Sequence, residues 1–440
     1  MKHSPTPLHE PFCALTTSPP TQADLIEGVA QLATTGIVEV TELVQAIHRE
    51  IVLRPLGLDR PEFHALWNRG LTGQVYGLTK GIMRQSGKGL AASLRLFNRL
   101  TPAFGDHPLT PVQHFLVGVI NGVAGDHLIR MQNPLAAPML VYNRDGQVHQ
   151  GPVKRRLVLM AHGLCMNFLS WDPGESVGMG EQLQYRMPDA TVLYLNYNTG
   201  RRISQNGRTL SQLLERLVQE NPHVEEISLI GHSMGGLVSR SALFYGKQQG
   251  HEWIHRVKNL VCLGSPHQGA VLERLGFLLQ DRVGQIPIAG LLANLADIRS
   301  AGIIDLRHGS VRDDDWEHLE ERRGLGDDVR KPAPLPSRIN TYLVAGTIER
   351  SPDSKRRPLD IIGDYLVSIP SALGEHADPA YRLNVPEEHK AVFYGVNHME
   401  VQYHPAVRNQ VINWLVPEAF VPRNVVTSPE AGRRIEYVDL

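Results

Sequence analysis

A chain of 440 residues is too long for one minimal domain and long enough for a catalytic core with an extension. Hydrophobic residues make up 42% of it and charged residues 20%, which excludes a disordered chain. Lys plus Arg number 44 against 45 Asp plus Glu, a balance that argues against a nucleic-acid partner, since such binders carry a basic excess.

Residues 1–20, MKHSPTPLHEPFCALTTSPP, read as a loose leader with no apolar stretch of the kind a secretory signal needs. No apolar run approaches the roughly 20 residues that span a bilayer. The three cysteines (Cys13, Cys165, Cys262) are odd in number and lack metal-ligand spacing. A reducing compartment follows as the expectation: cytoplasmic, with peripheral membrane contact left open.

Residues 21–134 read as a helical extension. In DLIEGVAQLATTGIVEVTELVQAIHREI apolar residues recur at 3–4 spacing, and Pro55 and Gly57 supply a stop. Gly73, Gly77 and Gly81 recur every fourth residue, and Gly118 and Gly122 repeat the pattern. Such glycines make a smooth helix face that another backbone can approach. A packed helix pair is the first reading and shallow membrane contact the second. Lys80, Arg84 and Lys88 argue against a spanning helix.

Residues 135–420 change texture. RRLVLMAH, TVLYLNY, EISLIGHS, VKNLVCLGSP, INTYLVAG and KAVFYGVNH read as buried strands, with helical stretches such as GRTLSQLLERLVQE and MGGLVSRSALFYGKQQG between them. The alternation predicts a mostly parallel, doubly wound α/β sheet. Residues 270–335 are too long for a simple crossover. With the apolar helical pieces VLERLGFLLQ and AGLLANLADI, they read as a lid-like insertion. Residues 421–440 form a C-terminal tail.

Chemistry concentrates in EISLIGHSMGG. A strand, then Gly231-His232-Ser233-Met234-Gly235, then a helix is a nucleophile elbow, whose tight turn excludes side chains at the flanking glycines. A second match, Gly174-Glu175-Ser176-Val177-Gly178, follows Asp172-Pro173 instead of a strand and reads as the cap of the next helix. Context therefore selects Ser233. A serine hydroxyl needs a base, and His398, after the last strand, stands where the order Ser…Asp/Glu…His requires one. His389 and His404 are less well placed. Four aspartates follow INTYLVAG: Asp353, Asp360, Asp364 and Asp378. Asp364 is preferred, because an apolar segment follows it, and Asp360 is the runner-up. Backbone donors for an oxyanion are expected at Met234 and at Leu164, in the turn His162-Gly163-Leu164. His162 and Gly163 are expected at the substrate pocket, and Cys165 as a packed thiol.

HGL near 162, LYLNYNTG near 193, GHSMGGLV at 231, LGSPHQG at 263, DYLV at 364 and GVNHME at 395 together resemble bacterial triacylglycerol lipases and GPI inositol-deacylase-like hydrolases. The likeness covers residues 135–415. It implies the α/β-hydrolase fold and carboxylic ester hydrolysis through an acyl-enzyme, with Ser233, Asp364 and His398 as triad and no organic cofactor or metal. It also implies pocket-wall or supporting roles for His267 and Gly269. Such lipases read Asp-Gly-Leu-Val at the acid, whereas Tyr365 stands here in place of the glycine. The expected partner is an acyl ester or lipid. An acyltransferase or polyester depolymerase with the same triad, and a catalytically silent binding module on this fold, are the alternatives.

Overall fold

The computed structural model describes residues 18–34, 107–172, 174, 177–271, 300–316, 330–351 and 363–416. The six expected strands form β2 (Arg156–Ala161), β3 (Ala190–Asn196), β4 (Glu226–His232), β5 (Val257–Leu263), β6 (Asn340–Thr347) and β7 (Lys390–Tyr394). A seventh, β1 (Leu140–Tyr142), precedes them and pairs antiparallel with β3 at one edge. The order is β1-β3-β2-β4-β5-β6-β7, and every pair but the first is parallel. At three residues β1 is too short to carry a pattern, which is why the sequence did not reveal it.

Both faces of the sheet are covered, so its strands are apolar throughout rather than alternating. Within β2, Leu157, Leu159 and Ala161 join one buried cluster. Val158 and Met160 join the other. The first face packs α4 (Ile203–Glu220) through Leu210, Leu214 and Leu217, and α5 (Met234–Gln249) through Leu237 and Val238. The second packs α3 (Met179–Arg186) and α7 (Pro405–Leu415) through Met179, Leu183, Val407 and Val411.

Two described helices precede the sheet, α1 (Gln22–Thr34) and α2 (Pro111–Arg130). Thr110 and Gln113 close a capping box at the start of α2. Apolar residues surround α2, as in a helix buried on most sides. Val119 and Val123 belong to the same cluster as Leu157 and Leu159. The glycine face of α2 meets a loop, where its spacing reads as a helix–helix face. A Cβ on Gly118 would stand 2.9 Å from the Met166 carbonyl oxygen, and one on Gly122 would stand 2.3 Å from Cys165 Sγ and 2.9 Å from its Cα. Gly73, Gly77 and Gly81 lie outside the described residues.

Of the expected insertion, the described part includes α6 (Ala301–His308). Ser300 Oγ donates to the Gly122 carbonyl at 2.7 Å. The buried Asp305 carboxylate accepts from Arg202 at 2.6 Å and from the Ile203 amide at 2.9 Å, so it caps α4 across a long sequence separation. The pieces read as helical at 271–280 and 289–298 lie outside the described residues, apart from Val271. No described helix is long and apolar enough to cross a membrane.

Gly→Ala inside an ordinary exposed helix gains up to about 1 kcal/mol. At Gly122 the lack of room reverses the sign, and Gly122→Ala should cost about 1–3 kcal/mol. Denaturant midpoints would check this. Adding Cys165→Ala, which removes the Sγ atom, should return part of the loss.

Candidate active site

Ser233, Asp364, His398 and the turn His162-Gly163-Leu164 follow the carboxyl ends of the parallel strands β4, β6, β7 and β2, where open α/β sheets place their ligands. Ser233 joins β4 to α5 with φ 52° and ψ −119°, a conformation costly for any residue with a side chain. The surroundings enforce it. A Cβ on Gly231 would lie 2.3 Å from the Gly236 nitrogen, and one on Gly235 would lie 2.2 Å from the Ala161 oxygen. Strand and helix therefore approach as closely as backbones can. The Ser233 amide donates to the Leu263 carbonyl at 2.8 Å, tying the elbow to the end of β5.

His398 follows β7 and Asp364 follows β6. The His398 Nδ1–H donates to Asp364 Oδ2 at 2.7 Å, and its amide donates to the Asp364 carbonyl at 2.9 Å. The other carboxylate oxygen accepts from the amides of Leu366 (3.0 Å) and Val367 (2.8 Å). Three donors thus hold a carboxylate only 1% exposed. Asp378 instead caps its own turn by accepting from Ala380, while Asp353 and Asp360 lie outside the described residues.

Two supporting residues escaped the sequence reading. His232 Nε2–H donates to the His398 carbonyl at 2.9 Å, and the two rings lie 5.0 Å apart. A Cβ on Gly264 would come within 3.2 Å of Asp364 Oδ2 and 3.5 Å of the His398 ring. Both sit inside motifs already singled out, GHSMGG and LGSPHQG, and that adjacency was the available signal.

The turn after β2 faces the elbow, since a Cβ on Gly163 would be 3.1 Å from Ser233 Cβ. Its hydrogen bonds run from the Cys165 amide to Thr199 Oγ1 (3.2 Å) and from the Met166 amide to the Gly163 oxygen (3.3 Å), leaving the Leu164 amide out. The Met234 amide opens α5, one of the first-turn N–H groups that a helix cannot satisfy itself. Cys165 takes φ 60°, and burial pushes its thiol up to about 12, as expected of a packed group. His162 stacks on Tyr197 and donates from Nδ1 to the Gly163 oxygen at 2.9 Å.

His267 stands apart from the other candidates. Its Nδ1 accepts from Arg240 Nη1 at 3.2 Å. Gly269 takes φ 95° and lies against α6, where a Cβ would be 2.2 Å from the Arg307 oxygen. Of the competing histidines, His404 is the N-cap of α7 and His389 precedes β7. Ser176 lies outside the described residues, and Gly178 is the N-cap of the helix that follows.

The sheet order, the helices on both faces and the elbow define an α/β-hydrolase fold. The model of the PGAP1-like alpha/beta domain family matches residues 153–374, half of the chain, and the chain belongs to that family. Among solved structures it is similar to the mature lipase BlEst2 of Bacillus licheniformis, with 16% identity over 63% of this chain and 97% of that one, TM-score 0.36. A lipase-esterase related protein of Clostridium acetobutylicum shows 11% identity over 60% and 95% of the two chains, TM-score 0.33. The thioesterase RedJ of Streptomyces coelicolor shows 13% identity over 61% and 89%, TM-score 0.32. No curated protein matches.

The departure at Tyr365 has a structural cost. Tyr365 holds φ 83°, the left-handed region where glycine alone is free of strain. Tyr365→Gly should therefore be more stable than Tyr365→Ala by about 1 kcal/mol, because both lose the ring and only glycine loses the strain. Urea midpoints of the two variants would decide it.

A second outcome concerns acid. Burial lowers His162 from 6.5 to about 4. The unfolded chain therefore takes up a proton as pH falls below 6.5, while the folded one resists until about 4, so stability is lost across that window. At about pH 5 this one group should cost about 2 kcal/mol relative to neutral pH. Unfolding free energies of wild type and His162→Gln at the two pH values should differ in slope by that amount.

Proposed function

We propose that the chain is a serine hydrolase of carboxylic esters that works through an acyl-enzyme. The observations that support the reading are the buried Asp364–His398 pair, at 2.7 Å, the hydrogen bond from His232 to the His398 carbonyl, and the strained elbow at the next residue, Ser233. Asp364 fixes the tautomer with the proton on Nδ1, which leaves the far nitrogen of His398 free to take the Ser233 proton. The Ser233 oxygen then attacks the ester carbonyl, and the Leu164 and Met234 amides receive the developing oxyanion. His398 returns the proton to the leaving alcohol, and water repeats the sequence to release the acid. The substrate is an acyl ester or lipid. A preference for longer acyl chains is the expectation from the apolar stretches VLERLGFLLQ and AGLLANLADI of the lid-like segment, since each buried methylene contributes about 0.8 kcal/mol.

The test is fluorophosphonate labelling together with a panel of chromogenic esters of varied acyl length. Ser233→Ala should abolish labelling and lower kcat by on the order of 10⁴ or more, with folding little changed. Ser176→Ala should leave both intact. Asp364→Asn should cost on the order of 10⁴ in kcat and Asp360→Asn little. Labelling that survives in Ser233→Ala would overturn the assignment. Equal, modest losses in the two aspartate variants would move the acid elsewhere.

A further inference from the structure

Seven residues beyond Ser233 along α5, about 10 Å at the helical rise, the chain buries a positive charge. Arg240 is 8% exposed, and among the described residues no carboxylate lies within ion-pair distance of it. Its Nη1 donates to His267 Nδ1 at 3.2 Å and its Nη2 to the Ala333 carbonyl at 3.1 Å, while its buried Nε has no partner. A guanidinium cannot accept, so His267 must receive that bond on Nδ1 and carry its own proton on Nε2. That Nε2 is also buried without a partner, in a residue 1% exposed. Two buried N–H donors thus lack acceptors beside one uncompensated cation, where such groups are normally paired.

Both residues line a cavity of about 20 Å³, shared with Gln268, Asp315, Arg330 and Lys331. Asp315, the one carboxylate among the lining residues, makes no ion pair with Arg240, and its two oxygens accept from the amides of Val311, Arg312 and Lys331, so it offers the unpaired donors no acceptor. Arg330 bonds the His267 carbonyl (2.8 Å) and Gln268 Oε1 (2.6 Å), adding a second guanidinium to the wall. A space of that size takes one particle about the size of a water molecule. Water would satisfy donors and leave the charge. A halide satisfies both.

We propose that this cavity is a binding site for a single monovalent halide, of the chloride class, ligated by Arg240 and His267. Occupancy ties α5 to the loop after β5, the loop whose Gly264 abuts the Asp364–His398 pair. The site is independent of the proposed reaction, and its test does not read activity.

The experiment is thermal unfolding of the full chain in sodium bromide against sodium gluconate at matched ionic strength. Bromide should raise the midpoint saturably, by about 3 °C at a hundredfold excess over Kd, and gluconate should not. Gln268→Glu supplies a tethered anion to the cavity and should raise the midpoint in gluconate while removing the bromide response. Arg240→Met should remove the response as well. In crystals grown with bromide, an anomalous peak should lie between Arg240 and His267. Equal effects of the two salts, a bromide response that persists in Gln268→Glu, or a cavity without an anomalous peak would each overturn the proposal.

Discussion

The backbone of Ser233 is the constraint on which the arrangement depends. No residue with a side chain adopts φ 52°, ψ −119° without cost, and three contacts make it the only fit available. Gly231 admits the first turn of α5, Gly235 admits the end of β2, and the Leu263 carbonyl takes the serine amide. The cost is borne by the packed sheet beneath, where β2, β4 and β5 are buried on both faces. Rigidity at the elbow and strain at the serine are therefore one fact seen from two sides.

The same close approach organises what surrounds the serine. Gly163 stands against Ser233 Cβ, so the turn after β2 cannot move without disturbing the elbow. Behind that turn lies α2, whose Gly122 leaves no room beyond Cys165. The helix ahead of the sheet thus buttresses the turn that carries Leu164, and Ser300 fastens α2 in turn to the described end of the insertion. On the other side, His232 holds the His398 carbonyl and Gly264 borders the Asp364–His398 pair. Nothing in this chain of contacts is local in sequence. Each contact joins segments far apart in the chain.

Tyr365 shows how a departure from a familiar motif is tolerated. The position keeps the left-handed backbone that a glycine would supply, because the amides of Leu366 and Val367 must both reach Asp364 Oδ1. Two charge-assisted hydrogen bonds to a buried carboxylate, worth more than neutral ones, offset the strain of one residue. The exposed Tyr365 ring meets no steric objection from the core.

How much was legible in the chain itself follows from the range of the interactions involved. The six central strands were readable because burial on both faces makes each a short apolar run bounded by turns, a property of neighbouring residues. The elbow was readable for the same reason, since its glycines and serine lie within eleven residues of EISLIGHSMGG. The edge strand β1 was not, for three residues hold no period and pairing with β3 alone defines it. Among the aspartates the apolar segment after Asp364 favoured it with Asp360 as runner-up, but its pairing with a histidine 34 positions away is set by where two loops end in space. The glycines of α2 announced a close approach but not the neighbour. Spacing reports what a helix face permits, and only the folded chain decides that a turn after β2, rather than another helix, takes the place.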